Sequence, residues 1–286
     1  MDTTTTAAAG LGRRTFVVTS LATGFALAVR PVGAQTVTTD STGLVAGEVK
    51  IGDMPAYRAM PEGNAKLPLM LVVSEIFGVH EHIKDMVRRF AKAGYMAVAP
   101  ELFARQGDVS KMADIGEIIG KVISKVPDEQ VMKDLDSTVD WAKKTGRVDG
   151  DRVGIVGFCW GGRIVWLYSA HNGASGPRAP KAGAAFYGPL SNATNALQTR
   201  TALDLGSKMH APVLGFYGGL DTHIPVGQVE LMRKELAANP KKLPSEIIVY
   251  PDAQHGFNAD YRPSYNNADA ADAWTKTLAF MKKNGV

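Results

Sequence analysis

The sequence predicts an α/β fold, a mostly parallel central sheet with helices on both faces. Short apolar runs alternate along the chain with segments of helical periodicity. The runs are continuously apolar rather than alternating, the pattern of strands buried on both faces. One of them, Asp151 to Gly157, passes through Phe158-Cys159-Trp160-Gly161-Gly162 into the helical segment from Arg163 to Tyr168. A cysteine thus stands at a strand-to-helix turn, with glycines two before and two and three after it.

From the N-terminus, Gly12-Arg13-Arg14-Thr15-Phe16-Val17-Val18 followed by the apolar stretch Phe16 to Val29 reads as a twin-arginine export signal. The stretch is too short to span a bilayer. Small residues at Val32-Gly33-Ala34 place cleavage before Gln35, so residues 1–34 are expected to be a signal peptide. Residues 35–43 are expected to be a flexible leader and 44–286 a single domain. The mature protein is expected to be periplasmic or secreted and monomeric. The twin-arginine export machinery would be the precursor's partner, and the mature chain would have no membrane association.

Leu44 to Ile51 and Ala56 to Met60 flank Gly52-Asp53 as a hairpin. Pro68 to Ser74 is a buried strand. Glu81 to Ala93 is an amphipathic helix with Ile83, Val87 and Phe90 inward, stopped at Gly94. Tyr95 to Pro100 is the next strand. Residues 101–127 read as a loop and a helix, and Asp128 caps a further helix carrying Val131, Leu135 and Ala142 on one face. Ala182 to Tyr187, Pro212 to Tyr217 and Glu246 to Tyr250 are strands, with helices over Val226 to Ala238 and Ala268 to Lys283.

The formal net charge is +4. Residues 1–34 supply +2 of it through Arg13, Arg14 and Arg30 against Asp2, so only +2 belongs to the rest. No basic stripe interleaved with aromatics is present, and no nucleic-acid partner is expected. The single cysteine excludes an internal disulfide and a cysteine-based zinc site. A lone thiol in an oxidising compartment is a liability unless it reacts.

Glycines around Cys159 suit a nucleophile on a strained turn, where neighbouring Cβ atoms would collide. The helix N-terminus beside it favours a thiolate. Such a nucleophile needs a base, an orienting acid and two N–H donors for an oxyanion. Asp221 and His255 follow successive strands in the order nucleophile, acid, histidine. His223 is the nearest rival for the histidine, and Asp252 is a turn residue. His80, His82, His171 and His210 read as surface or loop residues. Trp160 N–H is one oxyanion donor and Ile76 N–H the other candidate. Glu75, directly past a buried strand, costs energy unless it has a partner.

Ser74-Glu75-Ile76-Phe77-Gly78, Pro100-Glu101-Leu102-Phe103-Ala104-Arg105, the Cys159 motif, Phe186-Tyr187-Gly188, Gly218-Gly219-Leu220-Asp221 and His255-Gly256-Phe257 together resemble the dienelactone hydrolase (carboxymethylenebutenolidase) family. The resemblance spans the chain from about residue 44 and implies an α/β-hydrolase fold. It implies a lactone or small ester substrate opened by a Cys159–Asp221–His255 triad through an acyl-enzyme, with Glu75 acting on the thiol and no metal or organic cofactor. It places Arg105, Phe77 and Tyr187 on the substrate side. The family holds the substrate carboxylate with arginines; the second falls on Ala259, three residues before Arg262. An exported carboxylesterase or thioesterase is an alternative. A non-catalytic binding protein on the same fold is disfavoured, because Cys159, Asp221, His255 and Glu75 are all present.

Overall fold

The computed structural model describes residues 37–191 and 194–286. The export signal and the cleavage site before Gln35 lie outside the described residues. The strands are β1 (Leu44–Ile51), β2 (Met54–Pro61), β3 (Leu67–Val73), β4 (Met96–Pro100), β5 (Val148–Phe158), β6 (Ala182–Phe186), β7 (Val213–Gly218) and β8 (Glu246–Tyr250). They form one sheet in the order β1-β2-β4-β3-β5-β6-β7-β8. The first hairpin is antiparallel and β2 joins β4 antiparallel; every later pairing is parallel. This is the α/β-hydrolase fold.

Apolar continuity has the predicted consequence. All residues of β3, β4, β6 and β7 are buried, so both faces of the sheet centre are covered. The covering helices are α1 (Glu81–Lys92), α2 (Ile115–Lys121), α3 (Asp128–Lys144), α4 (Trp160–His171), α5 (Val226–Ala237) and α6 (Asn267–Lys283). Phe158, Phe186 and Phe216 face one another across β5, β6 and β7 in direct register. Their ring centroids stand 5.0 and 4.7 Å apart. Because these strands run parallel, their carboxyl ends lie at one edge of the sheet, and the loops carrying Cys159, Tyr187, Asp221 and His255 collect there.

Two expectations are corrected. Asp128 does not cap its own helix: it is the first residue of α3, and its carboxylate takes two hydrogen bonds from Arg163 of α4, at 2.7 and 2.8 Å. A buried guanidinium needs that bidentate partner more than the helix end needs a cap. Residues 37–42, read as part of the leader, are bonded in place. Val37 N–H donates to Asp260, Arg88 donates to the Thr39 carbonyl, and Lys92 donates to the Thr42 carbonyl.

Candidate active site

The turn between β5 and α4 is strained. Cys159 has φ 51° and ψ −116°, outside the regions ordinary L-residues adopt. Two glycines make this possible. A Cβ on Gly157 would lie 2.2 Å from the Gly161 carbonyl oxygen, and one on Gly161 would lie 2.3 Å from that of Val73. Hydrogen bonds pin the turn, from Cys159 N–H to the Phe186 carbonyl (3.0 Å) and from Arg163 N–H to the Cys159 carbonyl (3.2 Å). The thiol is partly exposed while its neighbours are buried.

His255 stands between Cys159 and Asp221. Its Nε2 is 3.3 Å from Cys159 Sγ and its Nδ1 is 2.8 Å from Asp221 Oδ2. The other oxygen of Asp221 accepts the N–H groups of His223 and Ile224 at 2.8 and 3.1 Å. Burial alone would raise the Asp221 carboxyl and lower His255. Burial is the largest single influence on each, but their mutual hydrogen bond and the remaining interactions together outweigh it, holding Asp221 below its ordinary value and raising His255, bonded to both Asp221 and Cys159, above its own. A histidine bonded to a thiol on one nitrogen and a carboxylate on the other is placed to accept the thiol proton. His223 does not fill this position; its ring packs against His255 at 5.4 Å.

Glu75 is 2% exposed. Its Oε2 is 3.3 Å from His80 Nε2, and its Oε1 has no hydrogen-bond partner among the described residues. Burial would raise this carboxyl, but the His80 bond and the positive neighbourhood bring it to about 2. His80 is itself lowered by burial, against its bond to Glu75, which raises it.

His80 and His82 are therefore not surface residues. His82 Nδ1 bonds Asp260 Oδ1 at 2.9 Å, with both side chains buried. The signal for this was present in spacing: His82, Met86 and Phe90 repeat every four residues on the inward face of α1.

Ile76 lies in the loop that follows β3, and Trp160 directly follows Cys159. Trp160 opens α4, so its N–H has no intrahelical acceptor. The Ile76 N–H finds no acceptor among the described residues. Tyr187, at φ 38°, sets its ring 5.2 Å from His255, and its hydroxyl is buried without a partner among the described residues.

Phe77 lies under the Arg262 guanidinium, 5.2 Å from it. Arg105 is placed differently. Its guanidinium binds Asp134 at 2.7 Å and Asp53 at 3.6 Å, and 41% of its side chain is exposed. The arginine brought to the site is Arg262. Burial would lower it, but Tyr261, Glu75 and Cys159 together raise it. Among the described residues, no group of three or more His, Cys, Asp or Glu side chains is arranged to hold a metal ion.

A profile of the dienelactone hydrolase family matches residues 54–285. The chain belongs to the dienelactone hydrolase family. A Methylorubrum extorquens protein provisionally named a carboxymethylenebutenolidase is 54% identical over 281 residues, covering 96% of this chain and 94% of its own. The crystal structure of a Klebsiella pneumoniae protein, provisionally titled a dienelactone hydrolase, is 47% identical with a TM-score of 0.79, covering 84% of this chain and 99% of that one. A Bradyrhizobium protein provisionally named a 2-oxo-3-(5-oxofuran-2-ylidene)propanoate lactonase is 29% identical over 235 residues, covering 79% of this chain and 88% of its own. As a dienelactone hydrolase family member, this chain is a carboxylic ester hydrolase.

Proposed function

We propose that the enzyme opens a lactone or cleaves a small ester through Cys159, His255 and Asp221, by way of an acyl-enzyme. The observation that carries this is His255 bonded to Cys159 on one nitrogen and Asp221 on the other. Sulfur attacks the carbonyl carbon, forming a C–S bond while the carbonyl electron pair moves to oxygen. The N–H groups of Ile76 and Trp160 receive that oxyanion. As the C–O bond breaks, His255 passes its proton to the leaving oxygen, which in a lactone remains tethered to the acyl group. Water, deprotonated by His255, then attacks the thioester and releases the acid and the thiol.

Arg262 supports a substrate bearing a carboxylate. It forms no salt bridge among the described residues, and a guanidinium binds carboxylates bidentately. The lactone in the Bradyrhizobium relative's name is of this kind.

Cys159→Ala is expected to lower kcat/KM by about a thousandfold or more on a lactone and ester panel, with the fold intact by circular dichroism. Wild-type turnover by that variant would sink the assignment.

Export through the twin-arginine route belongs to the same proposal, resting on Arg13 and Arg14 ahead of an apolar stretch. Replacing both with Lys is expected to leave precursor in the cytoplasm; an unchanged periplasmic yield on fractionation would refute it.

A further inference from the structure

Next to the turn that carries the thiol, on the loop after β3, a second histidine–carboxylate assembly takes no part in the steps above. Glu75 has a single side-chain hydrogen-bond partner among the described residues, His80. The His80 ring is enclosed. It stands edge-on to Tyr261 at 5.1 Å and to Phe77 at 6.3 Å, and lies nearly parallel to His82, with centroids 6.0 Å apart and planes at 19°. His82 is fixed in turn by Asp260, whose second oxygen takes the Val37 N–H at 3.0 Å and Arg89 at 3.3 Å. Rings, carboxylates and the Val37 N–H thus brace one another up to Glu75 Oε2.

We propose that His80, braced by the His82–Asp260 pair, is a positioning residue that keeps the Glu75 carboxylate ionised and fixed beside the Cys159–His255 pair. This rests on the reading of Cys159 as nucleophile. The residue before Glu75 adjoins the turn: a Cβ on Gly161 would lie 2.6 Å from the carbonyl oxygen of Ser74. Glu75 and Cys159 also act on the same three side chains, Tyr187, Tyr261 and Arg262.

The chemical consequence follows from donor inventory. An ionised carboxylate only accepts hydrogen bonds, so it cannot quench a neighbouring thiolate; a protonated one donates, and an O–H···S⁻ bond lowers the sulfur's reactivity. A buried carboxylate that loses its one side-chain donor takes up a proton instead. His80 therefore holds Glu75 in the form that leaves the sulfur free.

Other charged and titratable groups face this corner. They are His82 and Arg89 on α1, Glu101 after β4, Cys159, Tyr187, His255, and Asp260, Tyr261 and Arg262 ahead of α6. They are common to every variant below and cancel in the comparison.

The test uses His80→Asn and His80→Gln, both polar. A Gln amide reaches the place of Nε2 and can still donate to Glu75; an Asn amide reaches only the place of Nδ1. Two quantities are followed against pH in the full-length enzyme. One is kcat/KM on a neutral ester; the other is the rate of iodoacetamide labelling at Cys159, read by mass spectrometry. His80→Asn is expected to lose about tenfold or more of both near pH 6 and to recover as pH rises and Glu75 ionises again. His80→Gln should follow wild type within about threefold. The double variant His80→Asn/Glu75→Gln should stay low at every pH, because its amide donates permanently.

A pH-independent loss in His80→Asn, or identical behaviour of the Asn and Gln variants, would overturn the proposal. Labelling reads Cys159 without turnover. An active Cys159→Ala would therefore mark failure of the nucleophile assignment separately from failure of the His80 one.

Discussion

At the residue scale, Arg262 is the side chain whose position the family pattern does not give. The aligned arginine position holds Ala259, and two successive turns return the chain to the site. Ala259 N–H bonds the Gly256 carbonyl and Arg262 N–H bonds that of Ala259, both at 2.9 Å. The guanidinium then lies over Phe77 and Tyr261, within electrostatic reach of Glu75 and Cys159. Arg105 fits its family motif, yet its charge is already answered by Asp134. Arg262→Ala is therefore expected to cost about tenfold to a hundredfold in kcat/KM for a carboxylated lactone and little for a neutral ester of the same size, the worth of a charge-assisted pair. Arg105→Ala should change both substrates by less than about threefold, in keeping with a half-exposed ion pair. Selectivity lost in Arg105→Ala and retained in Arg262→Ala would reverse this assignment.

At the scale of elements, the turn into α4 shows what a sequence discloses. Glycines at 157 and 161 were legible because steric exclusion leaves no other residue there, and the geometry gives the same reason. Gly157→Ala would drive a methyl group into the Gly161 carbonyl at 2.2 Å. It is expected to destabilise at the upper end of about 1–3 kcal/mol, lowering Tm by several degrees in calorimetry, and to depress Cys159 alkylation with it. A variant as stable and reactive as wild type would mean that the turn relaxes freely. The order of Cys159, Asp221 and His255 was legible for a related reason, since parallel strands deliver their following loops to one edge. Contacts between side chains distant in sequence were not legible. Nothing local pairs Asp128 with Arg163, His82 with Asp260, or Arg105 with Asp134, because such choices are made by packing geometry after the elements assemble. The spacing of His82, Met86 and Phe90 marks an inward face, but the partner of His82 there is not legible. A histidine beside a helix start is ordinarily solvated; His82 is instead paired with Asp260, 178 residues away, and packed against His80, Phe158 and Tyr261.

For the whole molecule, buried acids of opposite tendency set a stability window in pH. Burial works to raise Glu75, Asp221 and Asp260, but their histidine and N–H partners hold all three below ordinary carboxyl values. Their contribution is present above the unfolded-state value near 4 and is lost as pH falls through the lower folded values. Glu101 behaves oppositely. Burial pushes it up to about 7, with Glu48 and Asp108 adding to the rise, against the Val79 N–H at 2.7 Å and Lys84. Between its unfolded value and about 7 the folded state binds the extra proton, so stability falls as pH rises through that interval. Replacing Glu101 with Gln keeps an acceptor for Val79 and removes the ionisation. The variant is expected to match wild type near pH 4.5, where both side chains are largely neutral, and to exceed it by roughly 1–3 kcal/mol at pH 8. Urea denaturation at the two pH values measures the difference directly. A gain independent of pH would show that Glu101 is destabilising for its shape rather than its charge. A loss at pH 8 would show that the ionised carboxylate holds the Val79 turn better than an amide can.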